Sequence, residues 1–301
     1  MSNDEGSHGP LTKLGRHNSQ RRDVLRASLA GALVTATAGS PLLARNGIKR
    51  DIVLVHGAWH GGWCWAPVRD MLERAGHRVY TPTLTGLGDR ADELSAEVGL
   101  DTHIDDVLLT ILLEELDDVV LCGHSYGGMV ITEVADRAKA RIGHIVYLDA
   151  ALPKNGETML SYGEPRPAAA IEGAEAAMRA MAPDGIGIAT FPPSVLGVPQ
   201  DHPLHNWVAK QLTPHPLKTW LDPINLKNGG ADKLPRTYVH CTDPVLPQTQ
   251  FPWVAAQVKD DPTWNYAELA TGHDAMVTAP AAVADLLEKA AHSDTLQKGA
   301  E

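Results

Sequence analysis

The 301-residue sequence has little cysteine, no excess of positive charge and no long, strongly apolar run. Its three cysteines are too scattered for a disulfide framework, and no Cys/His spacing is typical of a zinc site, so we expect no bound metal. A net charge of −11 argues against a nucleic-acid partner, because an acidic surface repels phosphate. No stretch reaches the ~20 strongly apolar residues of a membrane span, so we expect no stable membrane insertion. The composition, 44% hydrophobic and 21% charged, is that of an ordinary soluble globular protein.

The first 44 residues have the pattern of an export signal. A polar segment ends in Arg21-Arg22, and one spacer, two apolar residues and a further arginine precede an uncharged stretch from Ala27 to Ala44. This pattern predicts a twin-arginine signal, although Gln20 stands where Ser or Thr is usual. A membrane anchor is the alternative, but the apolar stretch is diluted by Gly and Thr and is short for a span. We therefore expect an exported protein, periplasmic or secreted.

Apolar strand patterns alternate with helical patterns over residues 45–292. Continuous apolar runs such as Ile52–Val55 and Ile145–Leu148 are typical of strands buried on both faces. The alternation predicts an α/β domain with a mostly parallel central sheet flanked by helices. From about residue 153 to 235 the chain is instead rich in Pro, Ala and Gly, which predicts a small helical lid insertion with no clear strand. Residues 293–301 are a polar tail.

A short motif predicts the position of a catalytic nucleophile. Gly123-His124-Ser125-Tyr126-Gly127 follows an apolar run and precedes a helical stretch of small residues. Strand, G-x-S-x-G and helix in this order are the context of a nucleophile elbow, a sharp turn that lifts the serine clear of the sheet edge. A serine hydroxyl is a poor nucleophile at neutral pH unless a neighbouring base takes its proton. We therefore predict that Ser125 is the nucleophile of an acyl-transfer enzyme.

The base, and the acid that orients it, are expected in loops at the carboxyl edge of the sheet, in the chain order Ser, acid, His. His273 is the one histidine between the last predicted strand and the last predicted helix, so we predict it to be the base. We favour Asp243 as the acid, because it follows the penultimate predicted strand. Asp149, at the end of the strand after the elbow helix, is the alternative, and Asp274 is a distant third choice.

Two backbone N–H groups should bind the oxyanion that forms during acyl transfer. One belongs to Tyr126, the residue after the nucleophile, and the other to Ala58, in the loop after the first strand. Six tryptophans stand near these loops or in the predicted lid, namely Trp59, Trp63, Trp65, Trp207, Trp220 and Trp253. Together they favour an apolar pocket for the acyl or alcohol part of a substrate.

The chain resembles the α/β-hydrolase superfamily at Leu54–Trp63, at Gly123–Gly128 and at Gly272-His273. It is most similar to the branch of plant methylesterases, hydroxynitrile lyases and bacterial carboxylesterases of the pyrethroid-hydrolase type. The resemblance covers nearly all of residues 51–291 and implies an α/β-hydrolase fold. The site residues that it implies are the nucleophile Ser125, the base His273 and the oxyanion donors Ala58 and Tyr126.

Two departures from this branch bear on the chemistry. The family's acid usually follows Cys-Thr after one further residue, whereas here Asp243 follows the Cys-Thr pair directly, which keeps Asp149 open as the acid. The lyase members carry Thr where Gly57 stands, and a Lys that stabilises leaving cyanide where this chain has Asp274. The resemblance therefore implies hydrolysis in preference to the lyase reaction.

These observations predict an exported, cofactor-free serine carboxylesterase that hydrolyses small, apolar carboxylic esters through an acyl-enzyme. Three alternatives stay open: a lactonase on the same residues, an enzyme like the hydroxynitrile lyases, and a non-catalytic small-molecule sensor. The expected partner is a small ester alone, and the oligomeric state is left open.

Overall fold

The computed structural model describes residues 49–293 of the chain. The predicted export signal over residues 1–44 lies outside these residues, as does the polar tail after residue 293. Among residues 49–293, no helix combines the length and the apolar character needed to cross a membrane.

The described chain is built around one six-stranded parallel sheet. The strands in chain order are β1 (Asp51–Val55), β2 (Arg78–Tyr80), β3 (Val119–His124), β4 (Ile142–Leu148), β5 (Gly187–Ile188), β6 (His215–Pro216), β7 (Arg236–Cys241) and β8 (Asn265–Leu269). The sheet has the order β2-β1-β3-β4-β7-β8, and every neighbouring pair in it is parallel. β5 and β6 form a separate antiparallel pair. All six carboxyl ends therefore meet at one edge of the sheet, where loops can combine residues from distant parts of the chain.

Helices cover both faces of this sheet. They are α1 (Ala66–Ala75), α2 (Leu100–Leu113), α3 (Gly127–Ala138), α4 (Ala168–Ala180), α5 (His205–Gln211), α6 (Lys218–Leu221), α7 (Phe251–Val258), α8 (Ala275–Thr278) and α9 (Pro280–Ser293). Buried side chains of α2, α3 and α7 belong to one core, and those of α1, α8 and α9 belong to another. The two cores lie on opposite faces because successive strand residues point to opposite sides.

The inner strand β1 illustrates why the sequence folds this way. Val53 and Val55 belong to the first core, whereas Ile52 and Leu54 belong to the second, and all four are fully buried. A strand that is covered on both faces needs apolar residues at every position, which the continuous apolar run supplies. The predicted fold class, a mostly parallel sheet flanked by helices, is confirmed.

The segment between β4 and β7 carries α4, α5 and α6, as expected of a helical insertion. It also contains two short strands, β5 and β6, of two residues each. The sequence does not predict this antiparallel pair, because Gly187 and Pro216 carry no strand signal. This pair contacts the loop after β1. The Trp59 indole donates to the carbonyl of Ile188 (3.3 Å), and the Trp59 backbone N–H donates to Nδ1 of His215 (3.3 Å). The insertion therefore lies against the loop predicted to bind the oxyanion.

Candidate active site

Ser125 occupies a sharp turn between β3 and α3. Its φ of 55° is in the left-handed region, which a non-glycine residue adopts only under tertiary constraint. The strand and the helix approach so closely that a Cβ on Gly123 would lie 2.7 Å from the carbonyl oxygen of Gly127, so glycine is required there. The elbow predicted from the sequence motif is therefore the geometry that the structure has.

His273 follows β8, and its ring is paired with a buried carboxylate. Nδ1 of His273 donates to Oδ2 of Asp149 at 2.7 Å, and both side chains are almost completely buried. Asp149 comes directly after β4, with a φ of 43°. Because Nδ1 carries the proton that Asp149 accepts, Nε2 is left as the basic nitrogen of the ring.

The structure corrects the preference for Asp243 as the partner of His273. Asp243 is exposed in the turn after β7, and its backbone N–H donates to the carbonyl oxygen of Thr271 (3.1 Å). Its side chain makes no hydrogen bond to His273, whereas Asp149, the alternative left open by the sequence, does. Asp274 is turned to a different histidine, His60.

Asp149 accepts hydrogen bonds on both carboxylate oxygens. Its Oδ1 accepts from Nδ1 of His240 (3.0 Å) and from the backbone N–H of Cys241 (3.2 Å). Burial by itself would raise the pKa of Asp149, but the bonds from the two histidines and from Cys241 outweigh burial and lower the pKa to about 2. Asp149 is therefore an anion at neutral pH, as an acid that orients a catalytic histidine must be.

Sequence reasoning missed His240. It lies within β7, 91 positions after Asp149 along the chain. The two residues meet because β7 pairs with β4, and no local motif in the sequence marks that pairing.

The lowered pKa of Asp149 predicts a stability difference that depends on pH. A carboxyl whose pKa falls from 3.8 to about 2 on folding contributes about 2 kcal/mol of stability above ~pH 4, and this contribution is lost as the pH falls towards ~2. We therefore expect the gap in unfolding free energy between the wild type and Asp149→Asn to shrink by about 2 kcal/mol between ~pH 5 and ~pH 2. Urea unfolding at a series of pH values measures this gap, and a gap that stays constant would contradict the assignment of the carboxylate.

The elbow and His273 are linked by His124, the residue that precedes Ser125. Nε2 of His124 contacts the carbonyl oxygen of His273 at 3.0 Å, and the centroids of the two rings are 4.4 Å apart. The ring of Phe251 also stacks on His273: the two centroids are 5.2 Å apart and the ring planes are nearly parallel. The Ser125 hydroxyl has no hydrogen-bond partner among residues 49–293.

The two predicted oxyanion donors are also available. Within residues 49–293, the backbone N–H groups of Ala58 and Tyr126 donate to no acceptor, although both residues are buried. Unpaired buried N–H groups are rare in folded proteins, and a pair beside a serine is the arrangement that binds an oxyanion. The Ala58 loop approaches the elbow closely, because a Cβ on Gly57 would lie 2.9 Å from Cβ of Ser125.

Part of the predicted tryptophan set forms an aromatic cluster beside Ala58. Trp59 packs edge to face on Phe191 at 5.0 Å and lies 5.7 Å from Trp220. These rings come from the β1 loop and from the insertion, so both segments contribute to the cluster. The other tryptophans lie elsewhere: Trp63 packs on Trp207, Trp65 is fully buried in the second core, and Trp253 packs on the first core.

One group of side chains among the described residues has the spacing of metal ligands. His124, His273 and Asp274 each offer an atom within 4.8 Å of the others. Each of them already has a protein partner, respectively the His273 carbonyl, Asp149 and His60. We therefore interpret the group as three side chains that are each held by a protein hydrogen bond next to Ser125, and not as a metal site.

A family model described as the alpha/beta hydrolase family matches residues 52–286, which includes all of the residues above. The chain belongs to the alpha/beta hydrolase family. The match extends from β1 to α9, so it contains the sheet, the elbow and the insertion.

Two curated relatives identify the kind of hydrolase. The chain is 40% identical to a carbendazim hydrolyzing esterase of Nocardioides sp. (strain SG-4G) over 243 residues, which cover 79% of this chain and 98% of that protein. It is 27% identical to methylesterase 1 of Arabidopsis thaliana over 220 residues, which cover 68% of this chain and 83% of that protein. The predicted resemblance to the methylesterase branch is confirmed, and the chain is an esterase-type enzyme, a carboxylic ester hydrolase.

A solved structure supports the same assignment. An extracellular alpha/beta-hydrolase from a Paenibacillus species is 26% identical to this chain and superposes with a TM-score of 0.69. The superposition covers 80% of this chain and 99% of that chain, so the two folds correspond over essentially the whole of the neighbour.

Proposed function

We propose that the protein is a serine carboxylesterase that works through an acyl-enzyme on Ser125, with His273 as base and Asp149 as the orienting acid. The observation that carries the proposal is the buried 2.7 Å hydrogen bond between His273 and Asp149 behind a serine held at a positive φ. The two unpaired N–H groups of Ala58 and Tyr126 complete the set of groups that ester hydrolysis needs.

In the proposed reaction, Nε2 of His273 takes the proton of the Ser125 hydroxyl as its oxygen attacks the ester carbonyl. Asp149 stabilises the imidazolium that forms, and the N–H groups of Ala58 and Tyr126 bind the oxyanion. His273 then gives the proton to the leaving alcohol, which departs. A water molecule activated by the same nitrogen attacks the acyl-enzyme, and Ser125 regains its proton as the acid is released.

The aromatic cluster beside Ala58 favours substrates with a flat, apolar part. Phe191 and Trp220, which are partly exposed beside the buried Trp59, offer rings against which such a group can pack. The relative that is 40% identical is named for carbendazim, a methyl carbamate on an aromatic ring system. We therefore propose methyl esters and methyl carbamates of aromatic compounds as the first substrates to test.

A matched substrate panel tests this proposal. It contains carbendazim, an aromatic methyl ester, a short aliphatic methyl ester, an aromatic lactone and an aromatic cyanohydrin, each offered to the wild type and to Ser125→Ala. We expect hydrolysis of the aromatic methyl ester or carbamate, faster than that of the aliphatic ester, and none by the variant. Opening of the lactone alone would replace the proposal by a lactonase. Cyanide release without ester hydrolysis would replace it by a lyase, and no turnover would favour the sensor.

One contact weighs against the lyase reaction. Asp274 stands where the lyases carry their lysine, and its carboxylate is fully buried and paired with His60 at 3.2 Å. A buried anion at this position offers no positive charge to a leaving cyanide.

We also propose that the protein is exported through its Arg21-Arg22 signal, which lies outside the described residues. Expression of the full chain and of an Arg21→Lys, Arg22→Lys variant, followed by cell fractionation, tests this proposal. We expect the variant to stay in the cytoplasm, and equal export of both chains would contradict it.

A further inference from the structure

His60 bridges the oxyanion loop and the turn that carries the base. Its Nδ1 lies 2.7 Å from the carbonyl oxygen of Ala58, and its Nε2 lies 3.2 Å from Oδ2 of Asp274. Ala58 supplies an oxyanion donor, and Asp274 follows His273 directly in the chain. One buried imidazole therefore connects the two segments whose separation matters for catalysis.

The hydrogen-bonding partners define the charge of this bridge. A carbonyl oxygen only accepts, so Nδ1 of His60 carries a proton, and a carboxylate at Asp274 makes Nε2 a second donor. Burial alone would lower the pKa of His60, but the charge and hydrogen bond of Asp274 raise it, and His60 in turn lowers the pKa of Asp274 against the effect of burial. The hydrogen-bond geometry and the directions of both pKa shifts favour an imidazolium and a carboxylate in hydrogen-bond contact.

Three titratable neighbours of this pair, His124, His56 and Cys64, add no charge to it. The ring of Trp63 stacks on His60 at 5.2 Å, and the ring of His124 meets it edge-on at 6.2 Å. Burial lowers the pKa of both His124 and His56 to about 3, and burial raises the pKa of the Cys64 thiol. These three neighbours are therefore neutral near pH 7, and the two charges of the pair balance each other.

Asp274 is also fixed to the rest of the active-site edge. Its backbone N–H donates to the carbonyl oxygen of Leu196 in the insertion (3.0 Å), and it precedes α8. Its second carboxylate oxygen lies 4.0 Å from Nε2 of His124, the residue before the nucleophile. A displacement of Asp274 would therefore move the turn of His273.

We propose that His60 and Asp274 act as one positioning pair, which fixes the Ala58 oxyanion donor relative to the His273 base. The inference rests on the proposed function, and it adds two residues that touch neither the substrate nor the reacting atoms. The oxyanion of the substrate and the imidazolium form of His273 arise only at and after the transition state. Loss of the His60–Asp274 pair should therefore lower kcat and leave KM nearly unchanged.

The test compares His60→Gln, Asp274→Asn and the double variant, which leaves no unpaired buried charge. We expect each to lower kcat by about 10²-fold, the size of effect that a misplacement of catalytic groups produces. The double variant should lose no more than the worse single variant, since both changes break the same link. Affinity for a trifluoromethyl ketone, which mimics the oxyanion, should fall in parallel with kcat/KM, while affinity for the acid product stays constant.

A second pair of similar chemistry serves as the control. His77 contacts Glu288 at 3.0 Å, where β2 begins, at the opposite edge of the sheet from Ser125. The variant His77→Gln, Glu288→Gln should lower the unfolding temperature and leave kcat unchanged. A folded His60→Gln, Asp274→Asn variant with wild-type kcat, or one that keeps full affinity for the ketone, would overturn the inference.

Two further readouts separate the outcomes. If Ser125→Ala abolishes turnover but the pair variants keep it, the inference fails and the proposed function stands. If the pair variants do not fold, ¹⁵N-histidine NMR of the wild type at pH 7 decides. Protons on both ring nitrogens of His60 support the inference, and a ring without a proton on Nδ1 overturns it.

Discussion

Ser125→Ala should hydrolyse an activated ester about 10⁶-fold more slowly than the wild type, which is the typical loss when a serine nucleophile is removed. Without the hydroxyl no acyl-enzyme forms, and only the oxyanion donors and substrate binding remain to accelerate attack by water. The measurement is kcat on a p-nitrophenyl ester. The variant should bind the ester nearly as well, because the missing group makes its main contribution in the transition state.

The fold should not change in this variant. Alanine removes one oxygen from a side chain that has no hydrogen-bond partner among residues 49–293, so the unfolding temperature should stay close to that of the wild type. Ser161→Ala, in the insertion, is a matched control and should keep full activity, since Ser161 bonds only to Thr158. Turnover by Ser125→Ala within about tenfold of the wild type would remove serine chemistry from consideration.

Asp149→Asn should lower kcat by about 10⁴-fold, whereas Asp243→Asn should leave it within about twofold of the wild type. An amide at position 149 donates where the carboxylate accepts from Nδ1 of His273, so the ring takes the wrong tautomer and Nε2 is no longer basic. Asp243 is exposed and has no bond to the ring, so its substitution should be silent. Both variants are measured on the same ester, side by side.

Other outcomes for the Asp149→Asn and Asp243→Asn variants would each contradict the proposed mechanism in a distinct way. A large loss in Asp243→Asn with little loss in Asp149→Asn would mean that the turn after β7 rearranges on substrate binding and supplies the acid. Equal, small losses would mean that His273 needs no orienting carboxylate, contrary to the proposed mechanism.

Much of the fold and of the site followed from local patterns. The elbow could be predicted because the strand, the two glycines and the helix that surround Ser125 follow one another directly in the chain. His273 could be predicted because one loop between the last strand and the last helix offers a single histidine. The parallel sheet followed from continuous apolar runs such as Ile52–Val55 in β1, which are needed where both faces of a strand are covered.

The partner of the base could not be decided in the same way. Asp149 and Asp243 both follow strands that end at the same edge of the sheet, so order and spacing admit either. What separates them is the direction of each side chain, which depends on the turn that follows the strand. The contacts of His240 and His60 were missed for a related reason: each joins residues brought together by the sheet and not by the sequence.

The central claim, that Ser125 is the nucleophile, is tested most directly by labelling the folded protein with a fluorophosphonate and locating the adduct by peptide mass spectrometry. The account predicts one adduct per chain, on Ser125, with loss of esterase activity in proportion to labelling. Full activity in a chain labelled on Ser125, or complete inactivation with the adduct on another residue, would contradict it.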